Sequence, residues 1–178
     1  MKAVREGFTP TSPRIRYWQS GAEGPRLLMV MGFSMQGDIW RPQVEDLMDD
    51  HQVGYFDNRG IGQSERQGRL WTMRDMAEDT LRVADALGWD DFHLCGVSMG
   101  GMVVQELACE SPERVRSLTL IATHEGGRDL RWLPSVHALN VFLRANTGKR
   151  DKRLHALREL LYPAQFLQSV DPEEMNQR

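Results

Sequence analysis

Several functional classes are excluded by what this sequence has little of. The longest uninterrupted apolar run, Leu27 to Met31, is far too short to cross a bilayer. The opening segment, MKAVREGFTPTSPRIRYWQS, has no apolar stretch of the kind that marks a secretory signal. Basic charge is not in excess: Lys and Arg number 22 against 25 Asp and Glu, a formal net charge of -3. That balance supplies no electrostatic reason to bind nucleic acid or an anionic membrane surface. There are two cysteines, Cys95 and Cys109, both in the most apolar part of the chain. They read as buried free thiols with no disulfide framework, which favours a reducing, cytoplasmic setting. Neither G-x-G-x-x-G nor a Walker pattern occurs, so no phosphate-cradling loop is expected, and no metal or other cofactor. Repeats and low-complexity tracts are absent too.

What is present is an ordinary globular composition, 40% hydrophobic and 26% charged over 178 residues, enough for a real core. Four compact apolar segments read as strands: Arg26 to Met31, Val53 to Phe56, Asp91 to Cys95 and Arg116 to Ile121. Each is near-continuously apolar rather than alternating, the pattern of a parallel sheet with helices over both faces. Ile15 to Trp18 reads as a further, antiparallel strand ahead of them. Helical stretches intervene. Trp40 to Asp50 puts Trp40, Val44, Leu47 and Met48 on one face. Thr72 and Asp75 form a capping box for a helix whose inward stripe is Met76, Thr80, Val83, Ala84 and Leu87, stopped by Gly88. Met99 to Glu110 is a third helix, with Met102, Val103 and Leu107 inward. This alternation predicts an α/β fold with a mostly parallel, doubly wound sheet. After Ile121 the composition shifts: Glu125 to Asp129 reads as a loop, and Leu133 to Leu143 and Asp151 to Tyr162 as amphipathic helices.

Between the third strand and the third helix lies Gly96-Val97-Ser98-Met99-Gly100, a G-x-S-x-G pattern. A turn that tight lifts its central side chain above the sheet and forces its backbone into a strained conformation. The helix that follows aims its free N–H groups at the site, where they favour developing negative charge. Ser98 is therefore a candidate nucleophile; the plainer reading is a serine in a glycine-rich turn. A nucleophilic serine needs an oxyanion hole. The N–H of Met99 is one candidate donor, and the N–H of Phe33, in the loop Gly32-Phe33-Ser34-Met35-Gln36-Gly37, is the other. Such donors are worth roughly 3 kcal/mol each in the transition state. The segment Asp57-Asn58-Arg59-Gly60-Ile61-Gly62-Gln63-Ser64 suits a tight loop at a strand's carboxyl edge, with Arg59 in a structural ion pair and Ser64 bonding loop backbone.

Together these segments resemble the α/β-hydrolase superfamily. The likeness rests on LLMVMGFSMQGDIWRPQV, YFDNRGIGQSE, TMRDMAEDTLRVADALGW, HLCGVSMGGMVVQELA and SPERVRSLTLIAT, in residues 27 to 123. It implies Ser98 as nucleophile and the Phe33 and Met99 amides as oxyanion donors. Many members carry His-Gly where this chain has Met31-Gly32, and a Met-Gly subgroup, including IATHEGG, is the nearest match. Serine at the elbow argues against the haloalkane dehalogenases and epoxide hydrolases, which use aspartate. The resemblance also divides the chain into the start of a hydrolase core, residues 1 to 124, and the start of a helical cap, residues 125 to 178.

In this fold the catalytic acid and then the histidine follow the serine. The resemblance places both on loops beyond the cap, past the last residue of this sequence, together with two core strands. Among the five histidines, His124 alone lies just past a strand end at the same carboxyl edge as Ser98, and it is the one candidate base within the sequence. His93 reads as structural. Two functions follow as expectations: a serine hydrolase acting on a small carboxylic ester or lactone, its acid and histidine missing from this chain, or a non-catalytic hydrolase-like module that binds a ligand or partner. Without further strands, the edge at Arg116 to Ile121 is left unpaired, which invites self-association.

Overall fold

The computed structural model describes residues 4–68, 70–125, 136–147 and 149–170. The chain divides into two compact units, Met1–Gly126 and Gly127–Arg178.

The first unit is built on a six-stranded sheet in the order β1-β2-β4-β3-β5-β6. β3 (Arg26–Val30), β4 (Gln52–Phe56), β5 (Phe92–Val97) and β6 (Val115–Ile121) run parallel. β1 (Arg5–Phe8) and β2 (Arg16–Ser20) add an antiparallel margin, β2 pairing with β4. β2 answers the antiparallel strand expected near Ile15. β1 was not foreseen: REGF has no β-branched residue and carries two charges, so its order comes from its partner. Glu6 accepts from Arg16 Nε at 2.9 Å and from Trp18 Nε1 at 3.3 Å, across the β1–β2 pair.

Alternation along β3 divides the core in two. Leu28 and Val30 join Phe56, Leu94 and the inward residues of α2 (Met73–Leu87) and α3 (Met99–Glu110). Met29 and Met31 join Trp18, Val53, Tyr55 and Cys95 on the other face, covered by Trp40 and by Val44 of α1 (Arg41–Leu47). Successive strand residues point to opposite faces, so a strand apolar at every position needs cover on both. The capping box of α2 is present, the Asp75 N–H donating to Thr72 Oγ1 and the Thr72 N–H to Asp75 Oδ2, and Gly88 closes the helix with φ 74°.

Two expectations need correction. Cys95 is buried, but Cys109 is exposed. It lies two residues past the buried Leu107, about 200° further round the helix and so on its outer side. In β6, apolarity did not mean burial on both faces. Ser117 to Ile121 are exposed, with Leu118 at 37%, Leu120 at 44% and Ile121 at 41%. Among the described residues β6 pairs with β5 alone, so the sheet ends there.

The second unit contains α4 (Val136–Asn146), α5 (Arg150–Leu161) and the short α6 (Ala164–Ser169). α4 and α5 answer the two expected helices, although residues 126–135, including the expected Leu133 start, lie outside the described residues. They meet through Val141, Ala145, Ala156 and Leu157, with an Arg144–Glu159 ion pair at 3.1 Å. No described helix is long and apolar enough to cross a membrane.

Candidate active site

β5 runs on to Val97 and α3 begins at Met99, leaving Ser98 as the single residue between them. Its backbone has φ 54° and ψ -121°, a left-handed conformation that costs a non-glycine residue about 1–3 kcal/mol. Its side chain is exposed. The turn is this tight because no side chain intervenes around it. A Cβ on Gly96 would lie 2.5 Å from the Gly100 carbonyl oxygen, and one on Gly100 would lie 2.2 Å from the Val30 oxygen. A Cβ on Gly101 would strike Thr123. These glycines let the first turn of α3 press directly on β3 and on the segment after β6.

Hydrogen bonds hold the strained residue from several sides. The Ser98 N–H donates to the Ile121 carbonyl at 2.9 Å, and the Ser98 carbonyl accepts from Gly101 N–H at 2.9 Å and Thr123 Oγ1 at 2.7 Å. Met99, the other part of the predicted elbow, is the first residue of α3, where a helix leaves its N–H groups without intrahelical partners.

The loop with the second candidate donor comes close to the elbow. A Cβ on Gly32 would sit 3.3 Å from Ser98 Cβ and 3.8 Å from its Oγ. Phe33 and Ser34 follow immediately, both exposed, and Ser34 adopts φ 62°. The structure thus brings Ser98, Met99 and the Gly32–Phe33 segment together at the carboxyl ends of β3 and β5.

His124 lies at the same end of the sheet. Its carbonyl accepts from Gln105 Nε2 of α3 at 3.0 Å, which with the Thr123 bond ties the segment after β6 to the elbow helix. His93 bonds Ser117 Oγ at 2.7 Å across the β5–β6 pair, a structural role as expected. A histidine–carboxylate pair is found elsewhere: His51 Nδ1 lies 2.8 Å from Asp50 Oδ1, just before β4 and so at the opposite end of the parallel strands. Trp40 and Met35 belong to the core beside α1.

The segment after β4 does what its residues suggested. Arg59 Nε meets Asp79 Oδ2 at 2.5 Å, both side chains buried, and Ser64 Oγ donates to the Asp57 carbonyl at 2.7 Å. Burial pushes the Asp57 carboxyl up, while the Gly37 and Gln63 amides pull it back. Sequence reasoning missed Thr123 and Gln105, since nothing local marks a side chain that acts on backbone about twenty residues away.

A nucleophile-type elbow on a mostly parallel sheet, with a loop from the next strand beside it, defines the class. The chain belongs to the alpha/beta hydrolase fold family, whose model matches residues 25–169. It is 40% identical over 105 residues to a protein of Azorhizobium caulinodans provisionally named carbamate hydrolase RutD, covering 59% of this chain and 40% of that one. It is 32% identical over 96 residues to 3-oxoadipate enol-lactonase 1 of Acinetobacter baylyi, covering 54% and 36%. A solved hydrolase from Pseudomonas aeruginosa PA01 superposes with a TM-score of 0.71 at 25% identity, over 94% of this chain and 63% of that one. Each match to these curated relatives spans about two fifths of the relative's length.

Proposed function

We propose that this chain carries the nucleophile elbow and oxyanion loop of a serine hydrolase that cleaves a small carboxylic ester or lactone through a Ser98 acyl-enzyme. The observation that carries the reading is the Ser98 backbone, held at φ 54° with its side chain exposed at the start of α3. A strained conformation persists only where its surroundings over-determine it, and such strain gathers at functional sites. The relatives named for carbamate and enol-lactone hydrolysis support the same chemistry, attack on an acyl carbon bearing a heteroatom leaving group.

In this reading Ser98 Oγ adds to the substrate carbonyl carbon as its proton passes to a base. The carbonyl oxygen becomes an oxyanion in front of the Met99 and Phe33 N–H groups. Collapse expels the alkoxide, which takes up that proton, and leaves the acyl group on Ser98; water then releases the acid. The catalytic acid and histidine belong, in this proposal, to segments outside residues 1–178, and residues 125–178 are the start of a helical cap. The His51–Asp50 pair cannot serve Ser98 from the far end of the sheet.

The test is treatment of the chain with p-nitrophenyl acetate and with an alkyl fluorophosphonate, beside Ser98→Ala and His124→Ala. Slow modification confined to Ser98, with very low turnover, is expected. Equal modification of wild type and Ser98→Ala would remove the nucleophile assignment. Robust turnover abolished by His124→Ala would overturn the external base.

A further inference from the structure

Three consecutive polar residues at the end of β4 are buried: Asp57 at 0%, Asn58 at 3% and Arg59 at 6% exposure. Burying such groups is costly unless each is bonded, so their partners show what the burial secures. Each reaches a different element. Asp57 Oδ1 accepts the Gly37 N–H at 2.8 Å, and Asn58 Nδ2 donates to the Met31 carbonyl at 2.8 Å; both bonds are buried. Arg59 reaches α2 through Asp79 and the Asp75 carbonyl. The first two partners stand at the two ends of one short loop, residues 32 to 36.

Within that loop Phe33, Ser34 and Gln36 are exposed, Met35 packs against the core beside α1, and Ser34 must sustain a positive φ. Its entry is confined on the other side as well: a Cβ on Gly100 would lie 2.7 Å from the same Met31 oxygen that Asn58 bonds. Asn58 therefore clamps a carbonyl that also abuts the elbow helix, and the loop's position relative to Ser98 is set at that atom.

We propose that Asp57 and Asn58 are positioning residues for the oxyanion hole, clamping both ends of the 32–36 loop so that the Phe33 N–H is held at a fixed place relative to Ser98. This rests on the proposed role of Ser98 and Phe33. Neither residue touches substrate; each acts through the backbone of the loop. An oxyanion donor contributes only when it stands at hydrogen-bond distance from the developing charge, so a loose loop loses catalysis while the nucleophile stays intact.

The experiment compares wild type with Asn58→Ala, Asp57→Ala and Asp57→Asn, with Thr72→Ala as a control destabilised at the α2 cap alone. Two quantities are read: amide hydrogen exchange over residues 32 to 38, and the second-order rate of Ser98 modification by an alkyl fluorophosphonate. Asn58→Ala and Asp57→Ala should speed exchange in that segment and slow Ser98 modification about tenfold, a fraction of what one oxyanion donor supplies. Asp57→Asn keeps an oxygen for the Gly37 N–H and should restore both. Thr72→Ala should change neither. Wild-type exchange over 32 to 38 in both alanine variants overturns the clamp, and so does altered exchange with an unchanged modification rate. If wild-type Ser98 is not modified at all, the nucleophile reading falls, and exchange alone then decides whether the clamp exists.

Discussion

Thr123 Oγ1 donates a hydrogen bond to the carbonyl of Ser98 at 2.7 Å, while its side chain fills the space that Gly101 leaves open. One residue thus braces the strained elbow from the segment after β6. Replacing it with valine keeps the shape and removes the donor. We expect Thr123→Val to lose about 1 kcal/mol of stability in chemical denaturation, the usual worth of such a bond. Ser98 modification by a fluorophosphonate should slow as well. Unchanged stability and unchanged rate would show that the elbow needs no brace there.

A buried charge pair makes the second prediction. Arg59 and Asp79 meet with side-chain exposures of 5% and 2%, and Arg82 Nη1 reaches the other Asp79 oxygen at 2.8 Å. Asp79→Ala leaves the buried Arg59 guanidinium with only the Asp75 carboxylate, 3.9 Å away, and a loss of about 3 kcal/mol is expected in urea denaturation. The double variant Arg59→Met with Asp79→Leu should recover most of that loss, because the penalty lies in the poorly compensated charge. A double variant as unstable as Asp79→Ala would refute this.

The two thiols should separate by reactivity. Cys109 is exposed, whereas Cys95 is buried and its burial pushes the thiol above the usual range. A disulfide reagent at mildly alkaline pH should modify Cys109 promptly and Cys95 only on unfolding. The linkage has a definite sign: above about pH 8.5 the unfolded chain ionises Cys95 while the native thiol keeps its proton. Stability should therefore fall as pH rises past that value, and Cys95→Ala should reduce the slope. Equal labelling of both thiols in the native state would contradict the burial.

The margin at β6 leads to the fourth. Leu118, Leu120 and Ile121 are exposed on a strand paired on one side only among the described residues. An open apolar edge is a template for pairing with another chain. Residues 1–178 produced alone should associate with rising concentration in analytical ultracentrifugation, and Leu120→Lys should weaken that association. A wild-type monomer at all concentrations would remove the expectation.

Much of the fold was legible because its signals are local. The parallel strands announced themselves as short apolar runs, the α2 cap as Thr72 and Asp75 three residues apart, and the elbow as glycines flanking Ser98 within five residues. β1 was not legible, since its order comes from pairing with β2. The outward turn of Cys109 and the exposure of β6 also escaped, because burial depends on which neighbours a surface receives.

For the candidate site the division runs along the same line. The sequence by itself determined that Ser98 stands between a strand and a helix, since backbone demands there are met by adjacent residues. Only the tertiary structure decided what holds that serine and its neighbouring loop. The bonds that do so join residues 25 apart for Thr123 and Ser98, 27 for Asn58 and Met31, and 20 for Gly37 and Asp57. The side chains of Thr123, Asn58 and Asp57 carry no local mark of the distant backbone groups they bond. They acquire their roles when the strand order carries the ends of β3, β4, β5 and β6 to one edge, where a buried polar group must find its partner across the chain.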